Sequence, residues 1–559
     1  MTNSLDPGAL ASKIDRAFER LSQAGFADGL WRRTLDIWSP DRGVQQKVGN
    51  RLGWLSVLEF VTPARDRLLG FAEGVRSGGF TDVVLLGMGG SSLAPEVMRQ
   101  VLGVAPGYPR FRMLDSVDPD AVRDAMANAA TSLFVFASKS GSTIEPNVMA
   151  AEARRRIEAA GHTDWASRFV AITDENTALH TRAVAERFRD IFVNPADIGG
   201  RYSALSYFGL VPAVLMGADL DRLLAGARAM ADACHAADPR VNPGLALGAV
   251  MGAAAASGRD KLTLVLPRKL ASFGLWVEQL VAESTGKQGK GVVPIAGETP
   301  DATYGSDRVA VAVKVGTDAP DARTIERLRA SGAPMVSLEM PDTNALGAEF
   351  FRWETATAAC GWLLGINPFD EPNVQQAKDA TKALLDTYTS QRRLPAPEPH
   401  ASIGGARLTL SGAARTQLGS EPAERVLRLL APGDYFGLLA YVSPANAMIA
   451  GVCDRLRAEV ARRAGRATMF GFGPRYLHST GQLHKGGPNS GVFVVLVAPP
   501  AEDLEIPGEK FSFGVLETAQ GIGDFQSLDK TGRRALLVQL PRPDAAALEQ
   551  VAQALLKEI

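Results

Sequence analysis

Short apolar runs recur along the chain, each closed by a polar or glycine-rich loop and followed by residues with helical spacing. "DVVLLGMGG" from Asp82 leads into "LAPEVMRQVL", "SLFVFASKSGST" from Ser132 into "EPNVMAAEARRRIEAA", and "RFVAITDENT" from Arg168 into "ALHTRAVAERF". Strands that are apolar throughout and alternate with helices predict a parallel sheet covered on both faces. The expected organisation is a helical segment over 1–50 and a doubly wound α/β domain over 51–243. A Gly/Ala-rich helix near 244–257 then opens a second α/β set over 244–391, with strands "KLTLVLP", "DRVAVAVKVG" and "APMVSLEMP" and a helix from Ala345 to Leu364. The segment "RRLPAPEPHASIGG" (392–405) is rich in proline and small residues and reads as a linker. Beyond it, "YFGLLAYV", "ATMFGFGP", "GVFVVLVAP" and "RALLVQLP" predict a third α/β domain over 406–559.

Composition narrows what these domains bind. The 559 residues are 46% hydrophobic, enough for several cores. Sixty basic residues against sixty-one acidic ones leave a formal net charge of −1, so no overall field draws in nucleic acid or an anionic membrane. Any anion must be caught locally. Cys234, Cys360 and Cys453 are far apart and odd in number, which fits neither a disulfide framework nor a zinc site and points to buried thiols in a reducing compartment. The N-terminal residues carry no basic stretch followed by an apolar one, and no apolar run reaches the ~18 residues of a membrane span. The expectation is a cytoplasmic protein with neither nucleic-acid nor membrane partners.

The first loop, "VVLLGMGGSSLAPEV", has neither the nucleotide P-loop pattern nor the full dinucleotide spacing. Gly87, Gly89 and Gly90 bring bare backbone N–H groups to a helix start, with the Ser91 and Ser92 hydroxyls beside them, a combination suited to phosphate. A tight turn with serine N-caps is the alternative. The next loop, "ASKSGSTIEP", places Ser138, Lys139, Ser140, Ser142 and Thr143 at the equivalent edge of the same sheet, where open α/β sheets bind ligands. The expected grip on phosphate is Gly90, Ser91, Ser138, Ser140 and Thr143, with Lys139 alongside.

These two loops resemble the sugar isomerase (SIS) domain. Further along, "DIGGRYSALSYFGLVPA" (197–213), "EQLVAESTGKQGKG" (278–291) and "LGINPFDEPNVQQAK" (364–378) resemble, in order, signature segments of the phosphoglucose isomerase family. The resemblance covers about residue 50 to residue 390. It implies two SIS domains in tandem and a small-molecule sugar phosphate as substrate. The implied reaction interconverts glucose 6-phosphate and fructose 6-phosphate by ring opening and an enediolate. It also implies no cofactor or metal, and suggests a homodimer, with the third domain filling the partner's role within one chain as the alternative.

Such chemistry needs a base, a ring-opening acid and a cation. Gln279 and Glu283 are four apart on an apparent helix and so share a face. Glu283 falls at its C-terminal end, where the macrodipole disfavours an anion and raises its pKa in a dry site. The resemblance implies that Glu283 is the proton-shuttling base and Gln279 a ligand contact. Without it, Glu283 reads as a solvated helix-end residue beside Lys287 and Lys290. Arg201, after Gly199 and Gly200, is the cation suited to enediolate oxygens, although an exposed surface arginine is the commoner fate. Lys378 is implied to lie near the ring oxygen.

Two departures from the family pattern stand out. Glu371 occupies the position of the usual glutamine, and its carboxylate would repel a sugar phosphate unless it points away or pairs with a lysine. The family histidine between the glutamate and the "INPFD" segment is missing, since no histidine occurs from Ser284 to Ile366. His478 and His484 instead fall in "PRYLHSTGQLHKGGPNSG". That segment resembles the C-terminal part of fused transaldolase and phosphoglucose isomerase proteins. His478 is the first candidate for the acid and His484 the second, with two structural histidines in a Gly-rich loop as the alternative. Only about eighty residues precede the first expected strand, too few for the (β/α)₈ barrel of a transaldolase. A dual phosphoglucose/phosphomannose isomerase and a non-catalytic phosphosugar sensor are the competing functions.

Overall fold

A computed structural model describes residues 3–395, 397–557 and 559. Among them, sixteen strands form three sheets. Strand β1 (Asn3–Asp6) opens the chain, and the next five are β2 (Asp82–Leu86), β3 (Arg110–Leu114), β4 (Ser132–Ala137), β5 (Phe169–Asp174) and β6 (Asp190–Asn194). These five make a parallel sheet in the order β3-β2-β4-β5-β6. Strands β2, β4 and β5 are buried along their whole length, as continuous apolar runs require when helices cover both faces. From β2 the chain steps outward to β3 and then back to β4 on the other side. The C-terminal ends of β2 and β4 therefore flank the point where the winding reverses, the usual ligand crevice of such sheets.

The second sheet adds β7 (Lys261–Val265), β8 (Val293–Ile295), β9 (Arg308–Val315) and β10 (Met335–Met340), in the order β1-β10-β9-β7-β8. All pairings are parallel except that of β1 with β10. The N-terminal segment is thus not purely helical. "NSLD" shows no apolar alternation, and it becomes a strand because β10 offers an unpaired backbone edge to which any extended segment can bond.

The third sheet contains β11 (Ala401–Ile403), β12 (Ala406–Leu410), β13 (Tyr435–Tyr441), β14 (Ala467–Phe472), β15 (Gly491–Val497) and β16 (Arg534–Gln539), in the order β11-β12-β16-β15-β13-β14. The last four strands in this order are parallel, as their apolar runs predicted, while β12 and β11 extend the edge antiparallel. The stretch expected to be a linker therefore ends in a strand. Gly404 and Gly405, at φ +58° and +85°, form a two-residue turn that pairs Ile403 with Ala406. Two glycines in left-handed conformation are what such hairpins require.

The three sheets are joined by shared apolar cores in addition to clusters of their own. Side chains of the first and second share one apolar cluster, which includes Leu85, Leu210, Leu280, Val311 and Phe350. The third unit packs Phe513, Leu516 and Ile522 against Val84 and Phe134, and Phe493 and Val495 against Ala282 and Ile295. None of the helices among the described residues is long and apolar enough to cross a membrane.

One core feature conflicts with burial. Glu354, on the helix Leu346–Leu364, is fully buried, and its carboxylate oxygens have no hydrogen-bond partner among the described residues. Burial holds its pKa well above the ordinary carboxylate range. The group is neutral in the fold and ionised once unfolded, so stability falls by about 1.4 kcal/mol per pH unit above that range until the folded-state group titrates. Glu354→Gln is expected to match the wild type near pH ~4 and to exceed it by ~1–3 kcal/mol near pH ~8. Urea midpoints at both pH values check this, and parallel pH dependence in the two proteins would contradict it.

Candidate active site

The hydroxyl-rich loops close the ends of β2 and β4. A 3-10 turn over Gly89–Ser91 follows β2, and residues 138–143 lead from β4 into the helix Ile144–Ala159. A third turn, Gly200–Tyr202, packs directly on the first: a Cβ at Gly90 would lie 2.0 Å from the Gly200 carbonyl oxygen. Only glycine permits that backbone contact. In the second loop the Ser138 hydroxyl accepts from the Gly141 N–H at 3.1 Å, and the Ser140 and Ser142 hydroxyls share a bond at 3.0 Å. Thr143 occupies the N-cap of its helix but makes no side-chain capping bond. Lys139 stands alongside with its charge already partnered. Its ammonium group is ion-paired with Asp174 and donates to the Ala196 carbonyl at 2.9 Å, so the protein itself satisfies much of that charge.

Between the loops lies a cavity of about 190 Å³ lined by Gly90, Lys139, Arg201, Gln279, Glu283, Glu371, Lys378 and His478, together with Arg51. A larger chamber of about 510 Å³ adjoins it and shares Lys378 and His478; Thr143, Glu145 and Gln520 line that side. Ser91, Ser138 and Ser140 stand in the loops behind without lining either space.

The helix Phe273–Thr285 presents Gln279 and Glu283 on one face, as their spacing predicted. One Gln279 amide nitrogen reaches Glu283 Oε2 at 3.2 Å and the His478 carbonyl at 2.9 Å. Burial raises the Glu283 pKa, Arg201 pulls it back, and the nearby Glu371 carboxylate pushes it up again. Glu283 is not a solvated helix end, and its neighbour Lys287 is buried, bonded to the Asn367 carbonyl at 2.8 Å and ion-paired with Asp370 at 2.9 Å. Burial, with Arg201 close by, lowers the Lys287 pKa to about 8.

Arg201 is buried rather than a surface residue. Its Nη1 lies 3.5 Å from Glu283 and 3.0 Å from Glu371. Nε donates to the Ser284 hydroxyl at 2.8 Å, and Nη2 to the carbonyls of Pro368 and Asp370 at 3.0 and 2.9 Å. Glu371 is thus neutralised by Arg201 rather than by a lysine. Lys378, on the helix Val374–Gln391, is exposed and stands at the boundary of the two chambers.

Of the two candidate histidines the structure brings only one into the cavity. His478 Nε2 lies 3.0 Å from Glu145 Oε1. His484 is buried beside the core that the third unit shares with the second, with its ring nitrogens 2.8 Å from the Thr480 hydroxyl and 3.1 Å from the Tyr435 hydroxyl. Burial drives its pKa far down, so it stays neutral. The two histidines, ranked first and second by sequence, are six apart, and the turn Arg475–His478 and the helix Gly481–Gly486 point them apart.

Sequence reasoning also missed Glu145. It sits in the first turn of the helix after the hydroxyl loop and read as an ordinary helix residue. Its carboxyl is buried; burial works to raise its pKa, but His478 and the backbone N–H at the helix start outweigh that and hold it below the usual range. The glutamate inside "GSTIEP", directly after the loop, was the available signal.

An open parallel sheet whose winding reversal carries hydroxyl loops beside a carboxylate, a guanidinium and an imidazole has the architecture of enzymes acting on small phosphorylated metabolites. Residues 54–312 match the profile of a protein family described as phosphoglucose isomerase. The glucose-6-phosphate isomerase of Parasynechococcus marenigrum (strain WH8102) is 32% identical over 426 residues, covering 68% of this chain and 74% of its own. That of Synechococcus sp. (strain CC9605) is 30% identical over 438 residues, covering 69% and 81%. Among solved structures, a hypothetical protein from Thermus thermophilus superposes with a TM-score of 0.59 at 25% identity, covering 68% of this chain and 99% of that one. A glucose-6-phosphate isomerase from Chlamydia trachomatis shares the fold, with a TM-score of 0.52 at 17% identity over 67% and 86%. The chain belongs to the phosphoglucose isomerase family.

The Gly90–Gly200 contact tests the cavity's construction. Gly90→Ala must push the Gly199–Arg201 turn away, at about 1–3 kcal/mol for overpacking. A lower melting temperature is expected together with weakened phosphosugar binding; an unchanged protein would show that the turn is free to yield.

Proposed function

We propose that this chain interconverts glucose 6-phosphate and fructose 6-phosphate, with the whole site supplied by one polypeptide. The observation that carries this reading is the single cavity in which Glu283, Arg201, Lys378 and His478 converge beside the phosphate loops. The phosphate sits at the Gly89–Ser91 turn and the 138–143 loop, where backbone N–H groups, hydroxyls and the helix start at Ile144 favour an anion. His478 protonates the ring oxygen as the ring opens, with Lys378 nearby. Glu145 holds the Nε2 side of the imidazole, which leaves Nδ1 as the nitrogen that exchanges protons. Glu283 then removes the C2 proton and returns it to C1. Its raised pKa makes it a better proton carrier than a solvated carboxylate. Arg201 stabilises the negative oxygens of the enediolate between the two transfers.

In this reading the units 51–243 and 244–391 are the two SIS domains, and 406–559 supplies the histidine. A homodimer is then not required to complete the site, and the compartment is the cytoplasm. A phosphosugar sensor would need the loops but not the base, the guanidinium and the imidazole.

Conversion of fructose 6-phosphate, read through glucose-6-phosphate dehydrogenase, tests the proposal. Glu283→Gln and His478→Ala are each expected to reduce kcat by about 10²–10⁴-fold, while the sugar phosphate still raises the melting temperature. A silent wild type that binds the ligand would favour the sensor. Because the base must be ionised and its pKa is raised, kcat/KM should fall on the acid side at a pH above the ordinary carboxylate range. Glu371→Gln removes the carboxylate that pushes Glu283 upward, so that limb is expected to move to lower pH and KM to fall. A stationary limb would separate Glu371 from the base.

A further inference from the structure

The helix Phe513–Lys530 lies behind His478 and carries Gln520 and Asp524 one turn apart. Both reach the histidine's setting. Asp524 accepts from the Tyr476 hydroxyl, two residues before His478, and pairs with Lys485 at 2.5 Å. Gln520 Nε2 donates at 2.7 Å to Glu145 Oε1, the same oxygen that faces His478 Nε2. Gln520 is 3% exposed, and its own Oε1 has no partner among the described residues. A carboxylate can only accept, so the amide must turn its nitrogen to Glu145 and leave its oxygen unpaired. That unpaired oxygen implies the bond to Glu145 outweighs the desolvation of a carbonyl.

We propose that Gln520 is a positioning residue for proton transfer at His478: it fixes the Glu145 carboxylate, which fixes the imidazole that opens the sugar ring. This rests on the isomerase reading above and deepens it. The unit that carries the histidine also carries the group that aims it, through a carboxylate from the first unit. Without the Gln520 donor, the buried Glu145 carboxylate is less well held as an anion and supports the imidazolium less. The other charged or titratable groups around the pair are Lys378 and Lys382 on the helix Val374–Gln391, Lys485, Glu283, and the phenols of Tyr441 and Tyr476. All of them are unchanged by substitution at Gln520.

The test separates ring opening from enediolate formation in the full chain. Gln520→Met is nearly isosteric. It is expected to lower isomerisation of the cyclic hexose 6-phosphate by about tenfold or more, and to move the alkaline limb of kcat to lower pH. Solvent hydrogen exchange at C2 of a four-carbon aldose 4-phosphate, which cannot close a ring, should keep its wild-type rate. Parallel loss of both reactions would mean a merely structural role, and loss of neither would mean no role; either overturns the proposal. Gln520→Glu provides a second arm in case the methionine variant does not fold. Its introduced carboxyl can donate to Glu145 only while protonated, so ring-dependent turnover should recover at low pH and disappear as pH rises. A profile parallel to wild type would overturn the proposal. A wild type that performs exchange but not isomerisation, or neither, would defeat the isomerase reading itself and is distinguishable from every variant result.

Discussion

The guanidinium of Arg201 is the interaction on which the site depends. It is buried, and it joins a glycine turn of the first unit to the end of the Glu283 helix and to the 368–371 loop. Removing such a cation from water costs several kcal/mol. Two carboxylates and three neutral oxygens offset that cost here, and they come from two separate segments, the end of the Glu283 helix and the 368–371 loop. A planar fork of five donors suits this task, whereas an ammonium could not reach all these acceptors in fixed directions.

The same cation sets the working state of Glu283. One guanidinium is shared between two carboxylates, so it lowers the Glu283 pKa without cancelling the effects of burial and Glu371. A fully paired carboxylate would be a poor base, and a buried one without a partner is held protonated well above the ordinary carboxylate range, as Glu354 is. On the far side of the cavity the opposite balance holds. Glu145 is held ionised by His478 and a helix start, with Gln520 donating to the same oxygen, which lets it act as a fixed negative charge beside an imidazole. Two glutamates, one partly exposed to the cavity and one buried, are thereby assigned to opposite tasks by their different partners.

Much of this was legible in the sequence where local pattern and long-range packing agree. The apolar runs of β2, β4, β5 and the four parallel strands β13 to β16 announced themselves, because burial on both faces leaves no polar positions. The four-residue spacing of Gln279 and Glu283 survived for the same reason: helix geometry alone puts them on one face. Edge strands were not legible. β1 and β11 are bound by backbone groups, which are the same for every residue type, although Gly404-Gly405 was a turn signal that could have been read. The partners of Lys139, His484 and Glu371 were not legible, for one cause. Each depends on a partner at Asp174, at Tyr435 and Thr480, or at Arg201, and no spacing rule connects such pairs.

The route by which an imidazole reaches the cavity follows from how the third unit is packed. His478 is 333 residues from Glu145 in the chain, yet its turn is held from three directions. Gln279 binds its carbonyl, Glu145 its ring, and Asp524 the tyrosine two residues before it. A side chain supplied by a loosely tethered domain would sample many positions, and an error of about 1 Å in placing a proton donor can cost about a hundredfold in rate. The apolar contacts of Phe513, Leu516 and Ile522 with the first unit, and of Phe493 and Val495 with the Glu283 helix side, remove that freedom before any substrate arrives. Because those contacts are part of the same cores that stabilise the fold, assembling the protein and aiming the histidine are one event.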